Sequence, residues 1–130
     1  MGTNQIRARV LVVDDDIDLC GLVKFKLAAL GYEVFVEHDG DAGLAAARLE
    51  RPDLIVLDWM MPRLTGLEVC AEIRNDEVLR STPVILLTAK AQEADVARAF
   101  AAGVSDYVVK PFSPRELAAR VEGLLLRAEA

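Results

Sequence analysis

Apolar residues along this chain follow two rhythms that alternate from one end to the other. The run Val10-Leu11-Val12-Val13 is continuous, short and rich in β-branching, which predicts a strand buried on both faces. Behind it, Leu19, Leu22, Val23, Leu27 and Leu30 recur at helical spacing. They predict an amphipathic helix with these residues on one stripe, stopped by Gly31 in the left-handed cap position. Residues 33–37 alternate around Val34 and Val36, the pattern of a strand with one wetter face. Asp39 predicts the cap of an alanine-rich helix through Leu49, and Arg51-Pro52-Asp53 predicts a turn. Leu54-Ile55-Val56-Leu57 and Val84-Ile85-Leu86-Leu87 read as further buried strands, and Tyr107-Val108-Val109 as a short one. Thr65 with Glu68 predicts a capping box for a helix through Arg74. Ser113, Pro114 and Glu116 predict another, opening a helix that carries Leu117, Val121, Leu124 and Leu125. Between these, a helix is expected from about Glu93 to Ala102, ended by Gly103.

Strands that are apolar throughout need helices on both faces of a parallel sheet. The expected fold is therefore α/β, a doubly wound five-stranded parallel sheet. One domain is expected over residues 1–130, with its core from about 7 to 127. Composition narrows the function. A hydrophobic content of 53% with 28% charged residues supports a packed core and excludes extended disorder. The net charge is -6 and the basic residues are scattered, so no nucleic-acid binding is expected of this domain itself. Cys20, Cys70 and His38 have no metal-binding or disulfide spacing. The cysteines are expected in the core and His38 at the surface. No apolar run reaches spanning length and no signal segment is legible, so a reduced cytoplasmic location without a membrane partner is expected.

In sheets of this kind the ligand site lies beyond the carboxyl ends of the strands. There the sequence places Asp14, Asp15 and Asp16 after the first strand, Asp58 after the third, Thr88 after the fourth, and Lys110-Pro111 after the fifth. Carboxylates where a nucleotide fold would have a glycine-rich phosphate cradle argue against nucleotide binding. Converging carboxylates cannot all ionise cheaply without a cation. An oxygen-only ligand set suits a hard divalent ion such as Mg²⁺. A divalent ion and a lysine beside a carboxylate can hold the oxygens of a phosphoryl group, and a carboxylate can attack phosphorus to form an acyl phosphate.

At these residues the chain resembles a response-regulator receiver domain of two-component signalling, over about Arg7 to Arg127. The matching motifs are Val-Val-Asp14-Asp15, Leu-Asp58-Trp-Met-Met-Pro62 with Gly66, Leu-Thr88-Ala89, and Asp106-Tyr107-Val-Val-Lys110-Pro111-Phe112. The closest likeness is to the OmpR/PhoB-type receivers. The resemblance implies a flavodoxin-like (βα)5 fold with strand order 2-1-3-4-5, an order also known from a chemotaxis member of the family. It implies that Asp58 accepts a phosphoryl group from a sensor histidine kinase or phosphotransfer protein. Mg²⁺ would be held by Asp15, Asp58 and the Met60 main-chain carbonyl, with Asp14 acting through water. Lys110 would pair with phosphoryl oxygens, Thr88 would swing toward them, and Tyr107 would change rotamer in response. Lys110-Pro111 would be a cis peptide. A phosphorylation-dependent homodimer is implied through Asp106, Glu116 and Arg120, with Val96 standing where a basic partner is expected and Arg98 two residues on. Met60 and Lys90 would flank the path of a hydrolytic water, and neither offers it an acceptor, so a long-lived phosphoryl group is expected.

Simpler readings compete at single positions. Asp16 reads as a helix cap and Trp59 as packing. A Mg²⁺-dependent aspartyl phosphohydrolase is a rival function, although Asp18 stands where that motif would carry Thr or Val. A second alternative is the N-terminal receiver fragment of a longer DNA-binding regulator. The expected role is a phosphorylation switch, not an enzyme with an external product.

Overall fold

The computed structural model describes residues 5–129. The chain alternates strictly: β1 (Arg9–Val13), α1 (Ile17–Ala29), β2 (Glu33–Glu37), α2 (Gly40–Glu50), β3 (Leu54–Asp58), α3 (Gly66–Arg74), β4 (Val84–Thr88), α4 (Glu93–Ala101), β5 (Asp106–Val109) and α5 (Pro114–Glu129). All strand pairs are parallel, in the order β2-β1-β3-β4-β5. Every residue of β3 and β4 is buried, as the apolar runs require. The sheet splits the core in two. Val10, Val12, Leu54, Val56, Ile85 and Leu87 face α1 and α5. Leu11, Val13, Ile55, Leu57, Val84 and Leu86 face the other helices. One residue of register slip would exchange these sets, so the register is firmly specified.

The helix ends follow their local chemistry. Asp16 Oδ1 accepts from the Leu19 amide and Asp39 Oδ1 from the Ala42 amide. Thr65 and Glu68 form the full reciprocal capping box. At Ser113 only half of the expected box is present. Its Oγ accepts from the Glu116 amide, while the Glu116 carboxylate lies 3.9 Å from Arg120 instead. Gly31 takes φ +98° after α1, a conformation that favours glycine.

The stripe expected on α1 is corrected. Leu22 and Leu30 are exposed, and the buried face is Cys20, Val23 and Leu27, with Leu19 partly buried against the same core. Leu22 lies one residue from Val23, about 100° around the helix, so both cannot face the sheet. Arg74 closes the far side. Its Nε donates to the Gly103 carbonyl at 2.9 Å and its Nη1 to the Thr82 carbonyl at 2.7 Å, joining α3 to the connections on either side of α4 and β4.

Gly66 marks a close approach. A Cβ there would strike the Asp58 carbonyl oxygen, and its amide donates to the Trp59 carbonyl at 2.9 Å. Gly66→Ala should cost roughly 1–3 kcal/mol, because rigid backbone has to move. Gly123→Ala, where a Cβ meets nothing within 4 Å in the middle of α5, should add about 0.5–1 kcal/mol. Urea unfolding of the two variants checks both signs.

Candidate phosphoacceptor and metal site

The register carries four strand ends to one edge of the sheet. Val13 lies beside Leu57, and Asp58 beside Leu87. The Lys110 amide donates to the Thr88 carbonyl at 2.8 Å, extending the β4–β5 ladder by one residue and bringing Lys110 to the same edge. The Lys110–Pro111 peptide is cis. Asp14 and Asp58 are buried, Thr88 is buried, and Asp15 is exposed.

Carboxylate oxygens of Asp14, Asp15 and Asp58 lie within 4.8 Å of one another. The cation facing them is Lys110, with Nζ 2.9 Å from Asp14 Oδ2 and 3.3 Å from Asp58 Oδ1. The contact to Asp58 has hydrogen-bond geometry. The contact to Asp14 is close enough for an ion pair, but Asp14 Oδ2 has no well-directed donor. Among the described residues it is the one buried side-chain oxygen without a hydrogen bond. Its companion Oδ1 accepts from the Asp16 amide at 2.9 Å. A buried carboxylate oxygen met only by the Lys110 ammonium, two further carboxylates and only oxygen donors fit a hard divalent cation, Mg²⁺ among them.

Burial raises the Asp58 pKa from 3.8 to about 6, and the Asp14 charge adds to the effect against the opposing pull of Lys110. For Lys110, burial alone would lower the pKa. Its contacts with Asp14 and Asp58 outweigh that, and the net shift is upward. The ammonium therefore stays charged at neutral pH.

Other expected residues fall close by with different partners. Thr88 Oγ1 accepts from the Lys90 amide at 2.8 Å. The Met60 side chain is exposed beside the site. Trp59 is buried, as a packing residue should be, but Lys90 Nζ and Arg98 stand over its ring at 5.4 and 5.6 Å from the centroid. Tyr107 is partly buried and meets Phe100 of α4 edge to face, with centroids 5.9 Å apart. Asp106 and Arg120 form an ion pair within the chain, both carboxylate oxygens lying 3.0 Å from Nη1. Val96 is partly buried and Glu116 exposed.

Sequence reasoning missed one residue at the edge of the site. His38 is exposed, as expected, yet its Nδ1 lies 3.0 Å from the Asp14 main-chain oxygen. The signal lies in the strand register and not in the local sequence. Val13 pairs with Glu37, so the residues that follow each of them are the next in register.

Asp58 binds its proton more tightly in the folded chain than in the unfolded one, so its charge destabilises the metal-free fold. That penalty is absent below pH 3.8, grows up to about pH 6, and is complete above. Asp58→Asn should therefore stabilise the metal-free protein at pH 7.5 by about 1–3 kcal/mol. The gain should vanish toward pH 3.5. Denaturant titrations of both proteins across that range provide the check.

Residues 10–122 match the family model described as the response regulator receiver domain. The alkaline phosphatase synthesis transcriptional regulatory protein PhoP of Bacillus subtilis is 44% identical over 121 residues, covering 93% of this chain and 50% of that protein. The DNA-binding response regulator MtrA of Mycolicibacterium smegmatis is 43% identical over 124 residues, covering 95% and 53%. The chain thus spans about half the length of the curated relatives it matches. Among solved structures, the receiver domain of the Francisella response regulator 1452 aligns with a TM-score of 0.88 at 35% identity, covering 94% of this chain and 99% of that one. The Vibrio cholerae chemotaxis protein CheY4 aligns at 0.85 and 34% identity, covering 89% and 97%. Among the described residues no helix is long and apolar enough to cross a membrane. With the fold, the acidic edge and these matches in agreement, the chain belongs to the response regulator receiver domain family.

Proposed function

We propose that Asp58 is the phosphoacceptor of this receiver, and that it takes the phosphoryl group from the phosphohistidine of a sensor histidine kinase or phosphotransfer protein. The observation that carries this reading is the Lys110 ammonium held between Asp14 and Asp58 at the edge of the acidic cluster. One Asp58 oxygen forms the new P–O bond while the donor's P–N bond breaks and the imidazole leaves with the electron pair. Asp15, Asp58 and the Met60 carbonyl would hold Mg²⁺, with Asp14 acting through water. That ion supplies positive charge for the phosphoryl oxygens and offsets the repulsion among the carboxylates. Lys110 neutralises a further phosphoryl oxygen. Thr88 would give up its bond from the Lys90 amide and turn its hydroxyl to the phosphoryl group, and Tyr107 would repack against α4.

The domain is read as one unit over residues 1–130, located in the cytoplasm. The names of its relatives favour a receiver that controls DNA binding elsewhere in a longer protein. Incubation with Mg²⁺ and acetyl phosphate should label the chain stoichiometrically at Asp58, and Asp58→Asn should take up no label. Label at another aspartate would overturn the assignment, and steady turnover of a phosphate ester would favour the phosphohydrolase alternative.

The acyl phosphate should be long-lived. Met60 offers no hydrogen bond to an attacking water, and Lys90 offers only donors, so a half-life on the order of minutes to hours is expected. Decay of the isolated labelled protein, followed by acid-quench counting, measures it.

The face of α4, β5 and α5 would pair two phosphorylated copies. Asp106 and Arg120 would exchange their partner within the chain for one across the dyad, with Val96 and the exposed Phe100 adding apolar contact. Each exposed bridge contributes only about 0–1 kcal/mol, so the dimer should be weak. Light scattering at high micromolar concentration with Mg²⁺ and beryllofluoride should show a dimer that Arg120→Ala weakens.

A further inference from the structure

Asp14 follows the last residue of β1 in full burial, so each of its main-chain groups needs a partner inside the protein. Its amide continues the ladder by donating to the Glu37 carbonyl at 3.1 Å. Its carbonyl oxygen has no further strand to accept from. Two side chains take that place. The Cys20 thiol of α1 lies 3.3 Å away and His38 Nδ1, on the connection from β2 to α2, lies 3.0 Å away. They reach the same oxygen from the two elements that flank the end of β1. The thiol's pKa is pushed up to about 11, mainly by burial and then by Asp14 and Asp16, so it remains an S–H donor at neutral pH. A carbonyl oxygen can only accept, so His38 Nδ1 must carry the hydrogen.

We infer that His38 is a positioning residue for the metal and phosphoryl site: it fixes the Asp14 main chain, with Cys20 as the second donor, and thereby sets where the Asp14 carboxylate stands beside Asp15 and Lys110. The inference deepens the phosphoacceptor reading and rests on it. The Asp14 carboxylate is joined by a short side chain to the backbone that His38 holds. Its Oδ1 is already occupied by the Asp16 amide and its Oδ2 faces Lys110. A shift of the carbonyl therefore moves the whole group relative to its cation. Partners of this kind, one layer behind a metal site, orient the ligands and tune affinity without touching the ion.

Three readouts test this. In the metal-free protein, long-range ¹H–¹⁵N correlation at neutral pH should find the His38 imidazole as the Nδ1–H tautomer. The Nε2–H tautomer would overturn the inference whatever the site binds. Mg²⁺ titration followed by calorimetry then compares variants. His38→Leu removes the donor and should weaken Mg²⁺ binding roughly tenfold. His38→Asn places an amide N–H where Nδ1 stands and should restore affinity to within about twofold of the parent. Thermal melts of the same variants separate positioning from folding: Leu and Asn should melt alike while their Mg²⁺ affinities differ. Unchanged affinity in His38→Leu, or an equal loss in His38→Asn, would overturn the inference. Should the unaltered chain bind no Mg²⁺ at all, the phosphoacceptor reading falls, and this inference with it.

Discussion

Three carboxylates crowded against one ammonium are the constraint from which the rest of the site follows. Asp14, Asp15 and Asp58 are brought within 4.8 Å by the register of buried strands, a geometry their own charges oppose. Burial raises the Asp58 pKa and the Asp14 charge raises it further, against the pull of Lys110. The core on both faces of the sheet holds these groups in place, since β3 and β4 are buried throughout. A site under such repulsion gains from any added positive charge and is sensitive to any added negative charge.

The fold was legible because three of its five strands are written as unbroken apolar runs. Val10–Val13, Leu54–Leu57 and Val84–Leu87 are too short for buried helices, and each is followed directly by a polar residue, Asp14, Asp58 or Thr88. The orientation of α1 was less legible. Ile17, Leu22 and Phe25 are exposed beside a buried face of Cys20, Val23 and Leu27, so apolar residues surround the helix and periodicity cannot select the inward side. The half-formed cap at Ser113 has a different origin. Glu116 is shared between a local role and the attraction of Arg120, and the sequence does not weigh one against the other.

Side chains that act across the sheet were the hardest to read. His38 is an ordinary surface histidine until the pairing of β1 with β2 sets it beside Asp14. The stacking of Lys90 and Arg98 over Trp59 likewise depends on where α4 packs. The same contacts tie the residue after Asp58 to the β4–α4 connection, whose Lys90 amide also holds the Thr88 hydroxyl. Thr88 and Trp59 thus meet at Lys90, one through its amide and one through its ammonium.

The pairing of Arg120 with Asp106 has a consequence for association. Both partners belong to one chain, so the carboxylate competes for the guanidinium as an intramolecular partner already held at 3.0 Å. A second molecule reaching for Arg120 has to displace a partner that never diffuses away. Exchanging one such pair for another leaves the number of ion pairs unchanged, so the net gain stays within the range of one exposed bridge, about 0–1 kcal/mol. Each isolated copy therefore carries an internal competitor for any outside partner of Arg120, and crowding alone is a poor means of displacing it.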